Sequence, residues 1–198
     1  MLFIITGRPG IGKSTVCRKV IDLLREQGFK IGGVICPEVR VGRSRIGFKI
    51  IDLMSNKEGW LAHINFNTGI KVGRYHVNLN DLESIGISAI NNAINQADVI
   101  VIDEIGPMEL KSMRFKEMIF KAFNCEKPII SVVHWKLSRW LISATKHLEV
   151  KVYEVTFSNR NWLHELIFKE ILKKKLRRHT IVFSQNFNKR GENKTTNT

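Results

Sequence analysis

The eight residues Gly7-Arg8-Pro9-Gly10-Ile11-Gly12-Lys13-Ser14 match the spacing G-x-x-x-x-G-K-[ST] in full. Gly7, Gly10 and Gly12 let the backbone adopt conformations that a side chain would block, which turns successive N–H groups toward one point. A phosphate oxygen fits that point. Lys13 supplies a flexible positive charge for the β and γ phosphates of a nucleoside triphosphate, the Ser14 hydroxyl suits Mg²⁺, and Thr15 is placed for the α-phosphate. A plain glycine turn between strand and helix is the structural alternative, and the full match in a strand-then-helix setting speaks against it.

A second cluster carries complementary chemistry. Asp98-Val-Ile-Val-Ile-Asp-Glu104 is an apolar run ending in two acids, and ionised carboxylates at the end of a buried strand need a partner. Mg²⁺ is that partner. Asp103 is expected to hold the metal with Ser14, and Glu104 to orient or deprotonate an attacking water. Val101, Ile102, Ile105 and Gly106 flank the pair and are counted with the nucleotide-binding segment. Adjacent strand residues face opposite ways, so both acids serve one site only if the chain leaves the pleat here, a departure that Gly106 and Pro107 favour. A solvated Glu104 at a strand end is the plainer alternative. His134 ends the next predicted strand, where it would reach a γ-phosphate, and Asn159 and Arg160 follow the last strand in the same way. Each has a structural alternative.

These residues require a scaffold that brings strand ends together. Leu2-Phe-Ile-Ile-Thr6 is a continuous apolar run, the pattern of a strand buried on both faces of a parallel sheet. From Lys13 to Gln27 the apolar positions Val16, Val20, Leu23 and Leu24 recur at helical spacing, with Gly28 as C-terminal cap. Residues 29–79 are rich in β-branched residues and glycine and predict several strands joined by turns. A helix over Asp81–Gln96, a strand over Asp98–Asp103, a helix over Met113–Phe123 and a strand over Ile129–His134 are expected next. A helical segment at Leu137–Lys146, a strand at Val150–Thr156 and a helix from Asn161 to about Arg178 complete the core. Such alternation predicts an α/β fold: a three-layer α/β/α sandwich with a mostly parallel sheet and a strand-rich insert at about 29–79. One domain is expected over residues 1–183, with a polar, disordered tail over 184–198.

Composition narrows the setting. The chain has 198 residues, 43% of them hydrophobic, enough for one core. No apolar run reaches the roughly 18 residues of a membrane span, and the apolar start is too short for a signal peptide. Cys17, Cys36 and Cys125 are too few and too scattered for a disulfide framework or a zinc cluster, so a reducing, cytoplasmic location is expected. With 32 Lys and Arg against 18 Asp and Glu, the formal charge of +14 leaves room for nucleic acid as a partner without requiring one. Part of that excess is local, in Lys173, Lys174, Lys175, Arg177, Arg178, Lys189, Arg190 and Lys194.

With both motifs placed, residues 1 to 175 resemble the thermophile-type nucleoside-triphosphatase family, also called the cancer-related nucleoside-triphosphatase family. The likeness rests on G-R-P-G-I-G-K-S-T at 7–15, G-G-V-I-C-P-E-V-R at 32–40 and G-R-S-R-I-G-F-K-I-I-D-L at 42–53. V-G-R-Y-H-V at 72–77, V-I-D-E-I-G-P-M-E-L at 101–110 and T-F-S-N-R at 156–160 complete it. The resemblance implies slow, Mg²⁺-dependent hydrolysis of ATP, GTP, CTP, UTP and TTP to the diphosphate with weak base selectivity. It also implies a P-loop fold with an added sheet strand and a catalytic glutamate. By position it assigns Gly7 to Ser14 to the phosphates and Asp103 and Glu104 to the acidic pair, and makes Arg40, Arg45 and Arg160 candidate contacts from the lid side. Pro107 departs from the pattern, since many relatives carry Lys there.

Two other functions use the same motifs. A nucleotide or small-molecule kinase would pass the γ-phosphoryl group to an acceptor bound by the insert, near Arg40, Arg43, Arg45 and Arg74. Against it, Glu104 beside the metal aspartate suits activation of water. An RNA-associated ATPase or regulator would use the positive charge, and its RNA binding would survive loss of residues 173–198.

Overall fold

The computed structural model describes residues 1–173; the expected disordered tail and the end of the last helix lie outside the described residues. Strand β1 (Leu2–Thr6) is buried along its whole length and runs into the glycine loop. Helix α1 (Lys13–Glu26) follows, burying Val16, Cys17, Val20, Ile21 and Leu24 along one stripe. Gly28, at φ 77°, turns the chain out of it. β2 (Ile31–Ile35) comes next, then β3 (Glu38–Val41), β4 (Ser44–Asp52), β5 (Glu58–His63), β6 (Ile70–Val72) and β7 (Tyr75–Val77).

A helical run follows as α2 (Leu79–Asp81), a π-helical stretch (Leu82–Ile87) and α3 (Ser88–Gln96). It begins two residues before the predicted Asp81, because the Asn78 side chain accepts the Asp81 N–H at 3.1 Å and caps it. β8 (Val99–Ile105), α4 (Met113–Phe123), β9 (Ile129–Val133), α5 (Ser138–Ala144) and β10 (Val150–Glu154) complete the alternation, and residues 163–173 form a last helix, α6. No helix among the described residues is long and apolar enough to cross a membrane.

The sheet order is β10-β1-β9-β8-β2-β4-β5-β7-β6, with β3 paired to β4. β10, β1, β9, β8 and β2 are mutually parallel, and from β4 outward the pairing is antiparallel. Thus β2, read from sequence with the insert, joins the parallel set, while the rest of the insert extends the same sheet as a wing. β9 lies between β1 and β8, so one strand separates the glycine loop from the acidic pair.

Side-chain alternation splits the core in two. Leu2, Ile4, Ile100, Ile102 and Ile129 face α3 and α4, whereas Phe3, Ile5, Val99, Val101 and Ile130 face α1 and α6. Each such fully buried aliphatic or aromatic side chain contributes about 1.5–3 kcal/mol, which fixes strand register and with it the position of the strand ends. One cap ties α4 to the π-helical stretch. The buried Ser112 hydroxyl accepts the Phe115 N–H at 3.0 Å, opening α4, and donates to Glu83 at 2.7 Å. Ser112→Ala is expected to lower stability by about 1–2 kcal/mol, read as a shift in the urea midpoint.

Candidate active site

The glycine loop leaves β1 at the C-terminal edge of the parallel strands. Gly7, Gly10 and Gly12 take φ values of 141°, 75° and 110°, a region open to glycine at little cost. Gly12 caps α1, no side chain caps its first turn and no acid lies within it, so the helix presents free amides and its positive dipole end to the cleft. Thr6 donates to the Val133 carbonyl at 3.1 Å, and Val155 donates to the Thr6 carbonyl at 2.8 Å, pinning the loop's root to both neighbouring strands.

Lys13, 8% exposed, and Asp103, 6% exposed, face one cleft of about 630 Å³. Ser14 donates its hydroxyl to an Asp103 carboxylate oxygen at 3.1 Å across 89 residues of sequence. Two hard oxygen donors therefore converge beside the lysine. The departure from the pleat occurs as expected: the β8–β9 register shifts between Asp103 and Ile105, so Glu104 stands opposite no partner and joins Asp103 in the cleft. The strand then runs on to Ile105, two residues beyond the predicted end, with Ile105 pairing with Val133 and accepting the His134 N–H at 3.0 Å.

A third acid, unassigned from sequence, completes the floor. Glu109 is 4% exposed and accepts the Gly106 N–H at 3.0 Å. A Cβ at Gly106 would lie 2.9 Å from its Oε2 and 3.3 Å from Glu104 Oε1, so both carboxylates crowd one point that only glycine leaves open. Burial, then the Glu104 charge, pushes Glu109 up to about 8 and Asp103 up to about 7. Glu104 is raised by burial and lowered by Lys13. His134 is pushed below its usual value by burial, then by the charges of Lys13 and Lys136, which keeps its ring neutral.

A carboxyl raised in the folded state holds a proton that the unfolded chain has released, so its contribution to stability falls as pH climbs from the unfolded to the folded value. For Glu109 that window runs from about 4.5 to about 8. In the absence of divalent cations the melting temperature is expected to fall across it, and Glu109→Gln, which keeps an acceptor for Gly106, to flatten the fall by about 5 °C. Melting curves on both proteins across that range are the check.

Several residues singled out from sequence stand elsewhere. Pro9, Gly10, Gly12, Lys13, Ser14, Thr15, Gly106 and His134 line the cleft with the acids, as does Arg45. Gly7, Arg8 and Ile11 shape the loop from behind or outside it, and Val101, Ile102 and Ile105 are wholly buried core residues. Arg160 stacks 5.0 Å over Phe157, outside the lining, and Asn159 is taken up by its own turn, accepting from Thr156 and donating to the Glu154 carbonyl, both at 2.8 Å. Arg40 is held by Glu38. Beyond Glu109, sequence reading missed Glu38, Phe48 and Tyr75 as cleft residues; their only signal was membership of the quoted motifs.

Comparison with known proteins accords with this geometry. A family model described as NTPase matches residues 2–171. The nucleoside-triphosphatase THEP1 of Sulfurisphaera tokodaii is 46% identical over 169 residues, 85% of this chain and 93% of that protein. The protein of the same name from Thermofilum pendens is 43% identical over 171 residues, 85% and 94% of the two chains. The crystal structure of THEP1 from Aquifex aeolicus superposes with a TM-score of 0.74 at 29% identity, covering 86% of this chain and 99% of that one. The solution structure of a human cancer-related nucleoside triphosphatase gives 0.71 at 29% identity, covering 85% and 96%. The family-model match over residues 2–171 and identities of 43% and 46% along nearly the whole length of two relatives show that the chain belongs to the NTPase family of nucleoside-triphosphatases.

Proposed function

We propose that this chain hydrolyses ATP, GTP, CTP, UTP and TTP to the diphosphate and phosphate with Mg²⁺ as cofactor. The observation that carries it is the convergence of Lys13, the Ser14–Asp103 pair and Glu104 on one cleft at the strand ends. The loop amides and Lys13 bind the triphosphate and offset charge on the transferring group. Ser14 and Asp103 fit Mg²⁺, which takes one or two protein oxygens and completes its shell with phosphate and water. Bound there, the metal would neutralise charge on the β and γ oxygens.

Glu104 holds the nucleophilic water and accepts its proton as the oxygen bonds to the γ-phosphorus and the bond to the β-bridging oxygen breaks. His134 lines the same cleft and, in this reading, donates to a γ-phosphate oxygen. Because these contacts fall on phosphates, which every nucleoside triphosphate shares, weak base selectivity follows. The free thiols Cys17, Cys36 and Cys125 suit a reducing, cytoplasmic setting, and nothing in this chemistry requires nucleic acid.

A panel of the five triphosphates, assayed for phosphate release with and without RNA, tests the proposal. Rates within about tenfold of one another, abolished by a chelator and indifferent to RNA, are expected, since a base-reading pocket would discriminate more strongly. Turnover confined to one base, or persisting without divalent cation, would contradict it.

A further inference from the structure

The phosphates account for one end of the substrate, and the sheet order sets the direction of the other. With the γ-phosphate drawn to the acids on β8 and the β-phosphate in the loop after β1, a triphosphate crosses the strand ends from β8 over β9 to β1. The α-phosphate, ribose and base continue the same way, toward β10, the next strand in that order. The aromatic wall of the cleft stands at the opposite end. Residues 44–50 of β4 overhang the end of β2 and bring Phe48 to Leu61 and Tyr75, all beyond β8 on the γ-phosphate side.

β10 ends beside the phosphate loop. Val155 donates to the Thr6 carbonyl at 2.8 Å, and its own carbonyl oxygen would lie 2.8 Å from a Cβ at Gly7. Two residues on, within about 7 Å of chain, comes Phe157. It is 77% exposed, the most exposed large apolar side chain among the described residues. The turn that carries it is braced on every side. Asn159 accepts the Thr156 N–H and donates to the Glu154 carbonyl, both at 2.8 Å, and the Thr156 and Ser158 hydroxyls meet at 2.9 Å. The Trp162 indole N–H donates to the Ser158 carbonyl at 3.2 Å, and buried Leu163 anchors the start of α6. The Arg160 guanidinium lies 5.0 Å from the centre of the Phe157 ring, backing one face and leaving the other to solvent. A lone exposed phenylalanine is ordinary on a protein surface. This one is held rigidly next to the phosphate loop, on the side where the rest of the substrate must emerge.

We propose that Phe157 is the platform on which the base of the bound triphosphate stacks, on the ring face away from Arg160. The inference rests on the hydrolase reading, which sets the direction of the triphosphate across the strand ends. Weak base selectivity agrees with such a platform, because every base has a π face and a phenyl ring has no hydrogen-bonding edge to read. Purines overlap the ring more than pyrimidines do, so ATP and GTP gain more from it than CTP, UTP and TTP.

The test titrates the full chain calorimetrically, with Mg²⁺, against a non-hydrolysable ATP analogue and against inorganic tripolyphosphate, which carries the phosphates without a base. Phe157→Ala is expected to weaken the analogue about tenfold, as loss of one stacking contact does, and to leave tripolyphosphate binding unchanged. Phe157→Trp is expected to restore the affinity and to show an emission change with the analogue that tripolyphosphate does not produce. In turnover, Phe157→Ala should raise KM for ATP more than it lowers kcat, the mark of lost uniform binding. Equal affinity of parent and Phe157→Ala for the analogue, or equal weakening of both ligands, would overturn the proposal. So would a loss confined to the analogue in Phe48→Ala and absent from Phe157→Ala, which would put the base on the opposite wall. Phosphate release by the parent chain reports the hydrolase reading separately: a base-dependent loss of binding without any release would sink hydrolysis and keep the platform, and release without that loss would do the reverse.

Discussion

Replacing Lys13 by alanine is expected to lower kcat/KM for every nucleoside triphosphate by about a thousandfold, or roughly 4 kcal/mol of transition-state stabilisation. The expectation follows from position. Lys13 is buried at the first turn of α1, between the loop amides and the acids, where water screens its charge little and the phosphates must pass. Its charge also holds Asp103 and Glu104 below the values that burial alone would set, so the variant leaves both acids further protonated and less able to serve metal or water. The fold itself has little stake in this residue, because the loop root is held by Thr6, Val133 and Val155. Circular dichroism of the variant should therefore match that of the parent chain while equilibrium binding of Mg·ATP is lost. Binding that survives with unchanged turnover would remove the lysine from its role.

The second large effect separates binding from chemistry. Glu104→Gln keeps the shape of the side chain at the register shift and removes its ability to take a proton. Tight Mg·ATP binding with a fall in the single-turnover rate of about 10²- to 10⁴-fold is expected, the range for loss of a positioned general base. Undiminished turnover would show that the water is activated elsewhere, with Glu109 the nearest other acid on the cleft floor.

What sequence revealed and what it hid have physical causes. The β1–loop–α1 unit was legible because it is local: a strand buried on both faces, three glycines and a helical stripe announce themselves within 30 residues. The helix expected near Met113–Phe123 is found there, opened by the Ser112 cap. The acids of β8 were legible by type, yet their shared direction depends on a register shift that no periodicity encodes. Glu109 was invisible because its burial comes from tertiary packing over Gly106. The cleft wall was hidden for a similar reason: Glu38, Phe48 and Tyr75 meet through antiparallel pairings and long-range contacts, and the overhang exists only because β4 is longer than its pairing with β2. Asn159 and Arg160 are held by local contacts in this structure. Their place after the last strand suggests the nucleotide, and the turn and the Phe157 ring are what they touch here.

Crystals grown with Mg²⁺ and a non-hydrolysable ATP analogue would test the account most directly. The γ-phosphate is expected within hydrogen-bond distance of Lys13 Nζ, with the metal held between Ser14 Oγ and the Asp103 carboxylate, and an ordered water beside Glu104. A nucleotide bound elsewhere, or a triphosphate in the loop with the metal away from Ser14 and Asp103, would contradict it.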